Sequence, residues 1–474
     1  MKPFFLSVIA AASVQGAQPS YTIVSSATSA ADPGWKAVMA ALQKKYPEAK
    51  RIVWEKDVTE CLPELARQHP RFVCFVSPPA EVGLGFVRHV HRLTRKLDSD
   101  PFTDCRWGIL TGSDSANALE IASETAPLFI HHTVSGTDLA TDRLESALTF
   151  SELEAGKRVV KPAGGNAVTG TGPADSSWEI ATALEGPETG LFITSGHATE
   201  RGWQIGYRYK NGTWKSKDGG LFAVNLKGEP HAIHSPSPKV YLPVGNCLMG
   251  HIDGPDAMAL AFMKSAGVRQ MAGYTQPTWY GYQGWGLIDY FVEQPGRYSL
   301  TDAFFANESA LIQRLRTYFP EVAGEESDSP MGKIGRPVPV SENATSSGLT
   351  AHDAEGLLFD RDVVAYYGDP AWQARLANGP LQWKETWSQD ATGGNLEITP
   401  QAGASSFSAI NSNGSQRGGR PIVRFFEHRI DPTSVKITAG AELKPVITDD
   451  FLLVPLPAKG TGSLKIVFTA KTVE

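Results

Sequence analysis

Apolar residues in the first part of the chain fall into short runs separated by stretches of helical period. YTIVSSA from Tyr21, RIVWEK from Arg51, FVCFVSP from Phe72 and WGILTG from Trp107 are rich in β-branched and aromatic side chains, the composition of strands. Between them WKAVMAALQKKY, CLPELARQH and VGLGFVRHVHRLTRKL place apolar residues three and four apart, which predicts helices with one buried face. Strands separated by helices pair in parallel through right-handed crossovers, so residues 21–155 predict an N-terminal α/β unit. In the last of these helices His89 and His91 stand two apart, on different faces, and are expected at the surface. After WGILTG a Gly-Ser-Asp turn leads into a helix capped by Ser113, Asp114 or Ser115, a structural turn and not a phosphate loop.

VVKPAGGNAVTGTGPADSS, from Val159, is too rich in Gly, Pro and small polar residues to bury a core and reads as a boundary. A second α/β unit follows over residues 175–375. It carries strand-like runs at Leu191–Thr194 and Val240–Val244, with a polar hairpin between them whose turn is expected at Asn211 and Gly212. A polar segment from Glu321 to Ala351 precedes LLFDRDVVAYYGDP. From about Leu381 the period shortens to two: LQWKETWS, LEITP, FSAIN, PIVRFFEH, SVKITAG, FLLVPLP and SLKIVFTA, separated by turn residues, predict an all-β sandwich of immunoglobulin-like type over residues 380–474.

Two apolar runs stop on reactive side chains fifty positions apart: LFITSGHA delivers His197 and VYLPVGNCLMG delivers Cys247. A thiol near its ordinary pKa is little ionised at neutral pH, and an imidazole beside it raises the thiolate fraction. Reactive groups of open α/β sheets collect beyond the carboxyl ends of strands, where both residues are placed. Gly196 and Gly245 let the backbone approach a substrate closely, and the backbone N–H groups of Ala198 and Cys247 are candidates for an oxyanion hole. Trp203, Trp279, Tyr280 and Trp285 are candidate substrate-binding residues, since aromatic rings give large contact area at small entropy cost. Glu200, Arg201 and Asp218 are candidates for shaping the cleft, and Asp253, Asp256 and Glu293 for meeting a basic substrate side chain. Taken singly, a cysteine or histidine after an apolar run is more often a core residue. A metal reading would use Cys247 and His251 with His231 and His234, but no CxxC or HExxH pattern accompanies them, so neither metal nor cofactor is expected.

Strand, Ser-Gly-His, then a second strand ending on Cys resembles the gingipain family, in the caspase-like clan of cysteine peptidases. GPDAMALAFMKSAGVRQMAGYTQPTWYGYQGWGLIDYF after the cysteine and Gly368-Asp369-Pro370 extend the resemblance over about residues 21–375. It implies a parallel-sheet catalytic region in two subdomains, with a noncatalytic one first. It also implies endopeptidase activity on protein or peptide substrates, Cys247 as nucleophile and His197 as base. The chain departs from the family at Ala198, where glycine is usual, and at Leu248-Met249-Gly250-His251 after the cysteine. A catalytically inactive member serving as a surface or binding protein is the alternative.

Composition narrows the setting. The 474 residues are 41% hydrophobic, enough for several cores, and the net charge of −6 without a basic run argues against a nucleic-acid partner. Residues 1–17, with Lys2, an apolar stretch and small residues at Gly16 and Ala17, read as a secretory signal peptide, which implies a secreted, periplasmic or cell-surface protein. No later run approaches the roughly 20 apolar residues of a transmembrane span. Four cysteines are too few for a disulfide scaffold: Cys74 reads as a buried thiol, a Cys61–Cys105 bridge stays open, and Cys247 is expected unpaired. Asn211, Asn307, Asn343 and Asn413 head glycosylation sequons.

Overall fold

The computed structural model describes residues 19–329, 332–412, 415–457 and 462–473, so the segment expected to be a signal peptide and the Asn413 sequon lie outside the described residues. One sheet of twelve strands organises residues 21–367. Its spatial order is Lys50–Trp54, Tyr21–Ser26, Phe72–Val76, Arg106–Leu110, Val364–Tyr367, Val268–Tyr274, Lys239–Pro243, Thr189–Thr194, His132–Ser135, Ser146–Phe150, Lys157–Lys161 and Val168–Thr171. Central strands such as Thr189–Thr194 and Lys239–Pro243 are buried along their whole length, which is why they read as unbroken apolar runs. The two halves of the sheet meet at Val364–Tyr367, which runs parallel to Arg106–Leu110 and antiparallel to Val268–Tyr274.

The Gly- and Pro-rich stretch expected as a boundary instead holds the hairpin of Lys157–Lys161 and Val168–Thr171, paired on the edge of the sheet. An edge hairpin contributes little core, and Val168–Thr171 is exposed throughout, so its composition resembles that of a linker. His91 is also not where its spacing placed it. It is fully buried, with Nδ1 3.2 Å from Glu308 Oε1, Nε2 2.8 Å from the Val364 carbonyl and the ring edge-on to Trp107. His89 stays at the surface and meets Asp57 at 2.9 Å.

After His197 the chain builds a five-stranded antiparallel sheet, Ala198–Thr199, Gly202–Gln204, Thr213–Lys217, Gly220–Val224 and Pro230–Ile233. Its inner face lays Trp214 flat on Phe192 of the central sheet, with ring centroids 5.2 Å apart. The hairpin turns at Asp218 and Gly219 rather than at Asn211 and Gly212. Both have positive φ, 52° and 71°, as a tight two-residue hairpin loop needs. Asn211 is buried, accepting the Ser176 N–H at 3.0 Å and donating to Ser176 Oγ at 2.9 Å.

The C-terminal residues form two antiparallel sheets, a four-stranded one of Trp383–Asp390, Gly393–Pro400, Leu464–Thr469 and Lys436–Ala439 and a three-stranded one of Ile422–Phe425, Phe451–Val454 and Val446–Ile447. They enclose their own core of Leu396, Ile398, Ile422, Leu452, Ile466 and Phe468. The FSAIN run forms no strand. This unit packs on the α/β region through the Arg106 guanidinium, 4.0 Å from the Phe425 ring centroid, and through Phe451 against Phe102. All four cysteines are free, so Cys61 and Cys105 are unbridged, and burial pushes the Cys61 thiol up to about 12. Among the described residues no helix is long and apolar enough to cross a membrane.

Candidate active site

Strands Thr189–Thr194 and Lys239–Pro243 are neighbours in parallel, with Leu191 opposite Val240 and Thr194 opposite Pro243. Two parallel strands in register end at the same edge, so the segments that follow, Ser195-Gly196-His197 and Val244-Gly245-Asn246-Cys247, emerge side by side. Gly196 makes its turn at φ 95°, a conformation a side chain would strain. A Cβ on Gly245 would collide with the Ser195 hydroxyl and come within 3.1 Å of Trp285, so glycine there lets the two segments close.

Asn246 ties them together. Wholly buried, it accepts the Thr194 hydroxyl at 2.6 Å and donates from Nδ2 to the Gly196 carbonyl at 2.9 Å, bridging the two strand ends immediately before Cys247. Its own carbonyl accepts the Thr278 hydroxyl at 2.9 Å, and the Thr278 N–H lies 3.3 Å from Cys247 Sγ. Cys247 is half-buried, and its backbone N–H has no acceptor among the described residues. Leu248 follows at φ 61°, a left-handed conformation uncommon for a branched side chain.

His197 is exposed. Its ring lies 4.8 Å from Tyr207, tilted by 30°, and it makes no hydrogen bond to Cys247. Ala198 opposes Trp203 in the hairpin while the His197 carbonyl accepts the Gln204 N–H at 2.9 Å, so the Ala198 N–H points away from its hairpin partner.

Glu152, which the sequence did not single out, belongs to the same edge. It follows strand Ser146–Phe150, and its carbonyl accepts the Tyr207 N–H at 2.6 Å, anchoring the loop whose tyrosine ring lies beside His197. Burial raises its carboxyl pKa, with the Ser195 and Thr137 hydroxyls pulling it back in part, and Oε2 is buried without a hydrogen-bond partner among the described residues. SELE after an unrecognised strand looks like any polar loop, so local pattern carried no signal for it.

The aromatic candidates divide. Trp203 and Tyr280 are buried and offer no open face: the Trp203 indole donates to the Ser195 carbonyl at 2.8 Å, bracing the His197 segment, and the Tyr280 hydroxyl donates to Asp353 at 2.6 Å. Trp279 and Trp285 are half-buried. Trp285 stands beside Gly245 with the Arg417 guanidinium 4.7 Å from its ring, whereas Trp279 packs edge-on against His352.

Charged candidates are engaged elsewhere. Arg201 donates to Asp253 at 2.6 Å; burial opposes ionisation of that carboxyl, but the Arg201 hydrogen bond and charge hold it below its usual range. Asp256 accepts the Gly219 N–H at 3.0 Å, and Asp218 forms the exposed hairpin turn. The Glu200 carbonyl accepts the Met258 N–H at 2.8 Å. Burial, then Asp289, pushes Glu293 up to about 7, and it faces Arg417 at 3.4 Å. His231 meets Glu185 at 3.0 Å, which also accepts the His234 backbone N–H at 2.9 Å. Groups spaced to hold a metal ion, His69 with Asp98 and Asp104, and Asp98 with Asp100 and Asp449, include neither His197 nor Cys247. Compared with protein-family models, with curated proteins and with solved structures, the chain finds no match.

Proposed function

We propose that the chain is a secreted cysteine endopeptidase of gingipain-like type, its catalytic region followed by an immunoglobulin-like sandwich. The observation that carries this reading is the clip at Asn246, which joins the segments bearing His197 and Cys247 at one edge of adjacent parallel strands. His197 turns from Tyr207 toward Cys247 and takes the thiol proton. The thiolate attacks the scissile carbonyl, and the oxyanion lies against the N–H groups of Cys247 and Ala198. His197 then gives its proton to the leaving amine, and water, deprotonated by the same imidazole, releases the acyl group. Hydrogen bonds of catalytic groups are often long before substrate binds, so the open arrangement at His197 is compatible with this sequence. No metal or cofactor takes part.

The same open arrangement favours a second reading, a binding protein that keeps the fold without the chemistry. Turnover of quenched fluorescent peptide libraries separates the two. The peptidase reading expects cleavage by the wild-type protein that Cys247→Ser and His197→Ala each abolish, and cleavage that survives both substitutions, or none by the wild type, would overturn it.

A further inference from the structure

We propose that the groove running from His197 along the five-stranded sheet binds acidic polypeptide segments of the substrate; this rests on the peptidase reading. Two cavities adjoin there. One of about 570 Å³ is lined by His197, Arg201 and Lys215, the other of about 450 Å³ by Arg208 and Lys210, and Gln204 and Thr213 line both, so they form one continuous lane. Among the described residues no Asp or Glu lines either cavity. Arg201 is neutralised by Asp253. Arg208, Lys210 and Lys215 are exposed, and among the described residues their side chains make no ion pair or hydrogen bond. On a chain whose net charge is −6, a lane with three unpaired cations and no carboxylate runs against the background.

The geometry favours an extended peptide. Ala198–Thr199 is the edge strand of its sheet, so beside the Ala198 N–H that meets the oxyanion, the outward Ala198 carbonyl can accept an N–H of an extended substrate. Along Thr213–Lys217 the side chains alternate, setting Thr213 and Lys215 on the exposed face opposite Gln204 and Gly202. From that edge the peptide continues across the sheet into the two cavities, where its carboxylates meet Lys215, Arg208 and Lys210. Because the lane opens on His197, its occupant is continuous with the chain being cut, which favours polypeptide over a free polyanion.

The test is fluorescence anisotropy with full-length Cys247→Ala protein and three labelled peptides of equal length, Glu/Asp-rich, neutral and Lys-rich, at low and at physiological salt. Surface ion pairs are individually weak, so three together should give the acidic peptide roughly tenfold tighter binding than the neutral one. Salt should weaken that advantage, and the triple variant Arg208→Glu/Lys210→Glu/Lys215→Glu should abolish it while keeping the wild-type circular dichroism. Equal binding of the three peptides, or acidic binding untouched by the triple reversal, overturns the proposal, as does heparin binding by a protein that ignores the acidic peptide. Turnover without charge preference would sink this proposal and leave the peptidase reading standing; charge-selective binding with no turnover by the wild-type protein would sink the peptidase reading and, with it, the assignment of the bound segment as substrate.

Discussion

Replacing Asn246 by alanine isolates the contact on which the site depends. The side chain is wholly buried and makes two hydrogen bonds, to the Thr194 hydroxyl at 2.6 Å and to the Gly196 carbonyl at 2.9 Å. Removing one partner of a buried hydrogen bond costs about 1–3 kcal/mol. The Thr194 hydroxyl keeps Tyr241 at 2.9 Å and sits at the low end, while the Gly196 carbonyl loses its one side-chain partner among the described residues. Together the loss should be about 2–4 kcal/mol. Urea denaturation followed by tryptophan fluorescence measures it, and a cycle with Thr194→Val should return a coupling of about 1 kcal/mol, because the two residues share one bond. On the peptidase reading, turnover should fall about a hundredfold in the folded variant, since a shift near 1 Å at the reacting groups has that effect. A stability change under about 0.5 kcal/mol, within the range of ordinary surface substitutions, would refute the clip.

Three further outcomes follow from packing, backbone and charge. In Gly284→Ala the new Cβ would strike the Val244 carbonyl just before the Cys247 segment, backbone that cannot step aside, so the variant should lose about 3 kcal/mol in urea titration, and wild-type stability would show that this packing is wrong. Asp218→Gly, at an exposed turn residue with φ 52°, should raise stability by about 0.5 kcal/mol, the left-handed strain removed exceeding glycine's entropy cost, and a lower urea midpoint would contradict the turn geometry. Burial, then Asp98 and Asp100, raises buried Asp104 to about 9; its folded form binds a proton that the unfolded chain releases near pH 4, so stability is lost as pH rises from about 4 to about 9. The melting temperature of Asp104→Asn should therefore fall less than that of the wild type between pH 5 and 9, and parallel curves would count against it.

Much of the central sheet was legible because Tyr21–Ser26, Phe72–Val76 and Thr189–Thr194 are buried on both faces, and burial on both faces leaves an apolar run in the sequence. Placing His197 and Cys247 at strand ends needed only those runs. What stayed hidden depends on partners far along the chain. His91 is buried because Glu308 and the Val364 carbonyl, 217 and 273 positions away, satisfy its ring nitrogens. Asn211-Gly212 and Asp218-Gly219 have equal turn chemistry, and the contact of Asn211 with Ser176 decides between them. Asn246 stands in plain view before Cys247, but its role appears only once the two strands are known to be neighbours. Trp203 and Trp285 both looked like binding walls; the first is taken by the Ser195 carbonyl, and the second is half-buried beside Gly245 with Arg417 over its ring.

The pairing of thiol and imidazole is tested most directly by the rate of iodoacetamide labelling at Cys247 from pH 5 to 9, mapped by mass spectrometry in the wild type and in His197→Ala. The account requires fast labelling of Cys247 at neutral pH that His197→Ala slows to the rate of an ordinary thiol, with buried Cys61, Cys74 and Cys105 unlabelled in both. Equal, slow labelling of Cys247 in the two proteins would mean that His197 does not activate the thiol, and would contradict the peptidase reading.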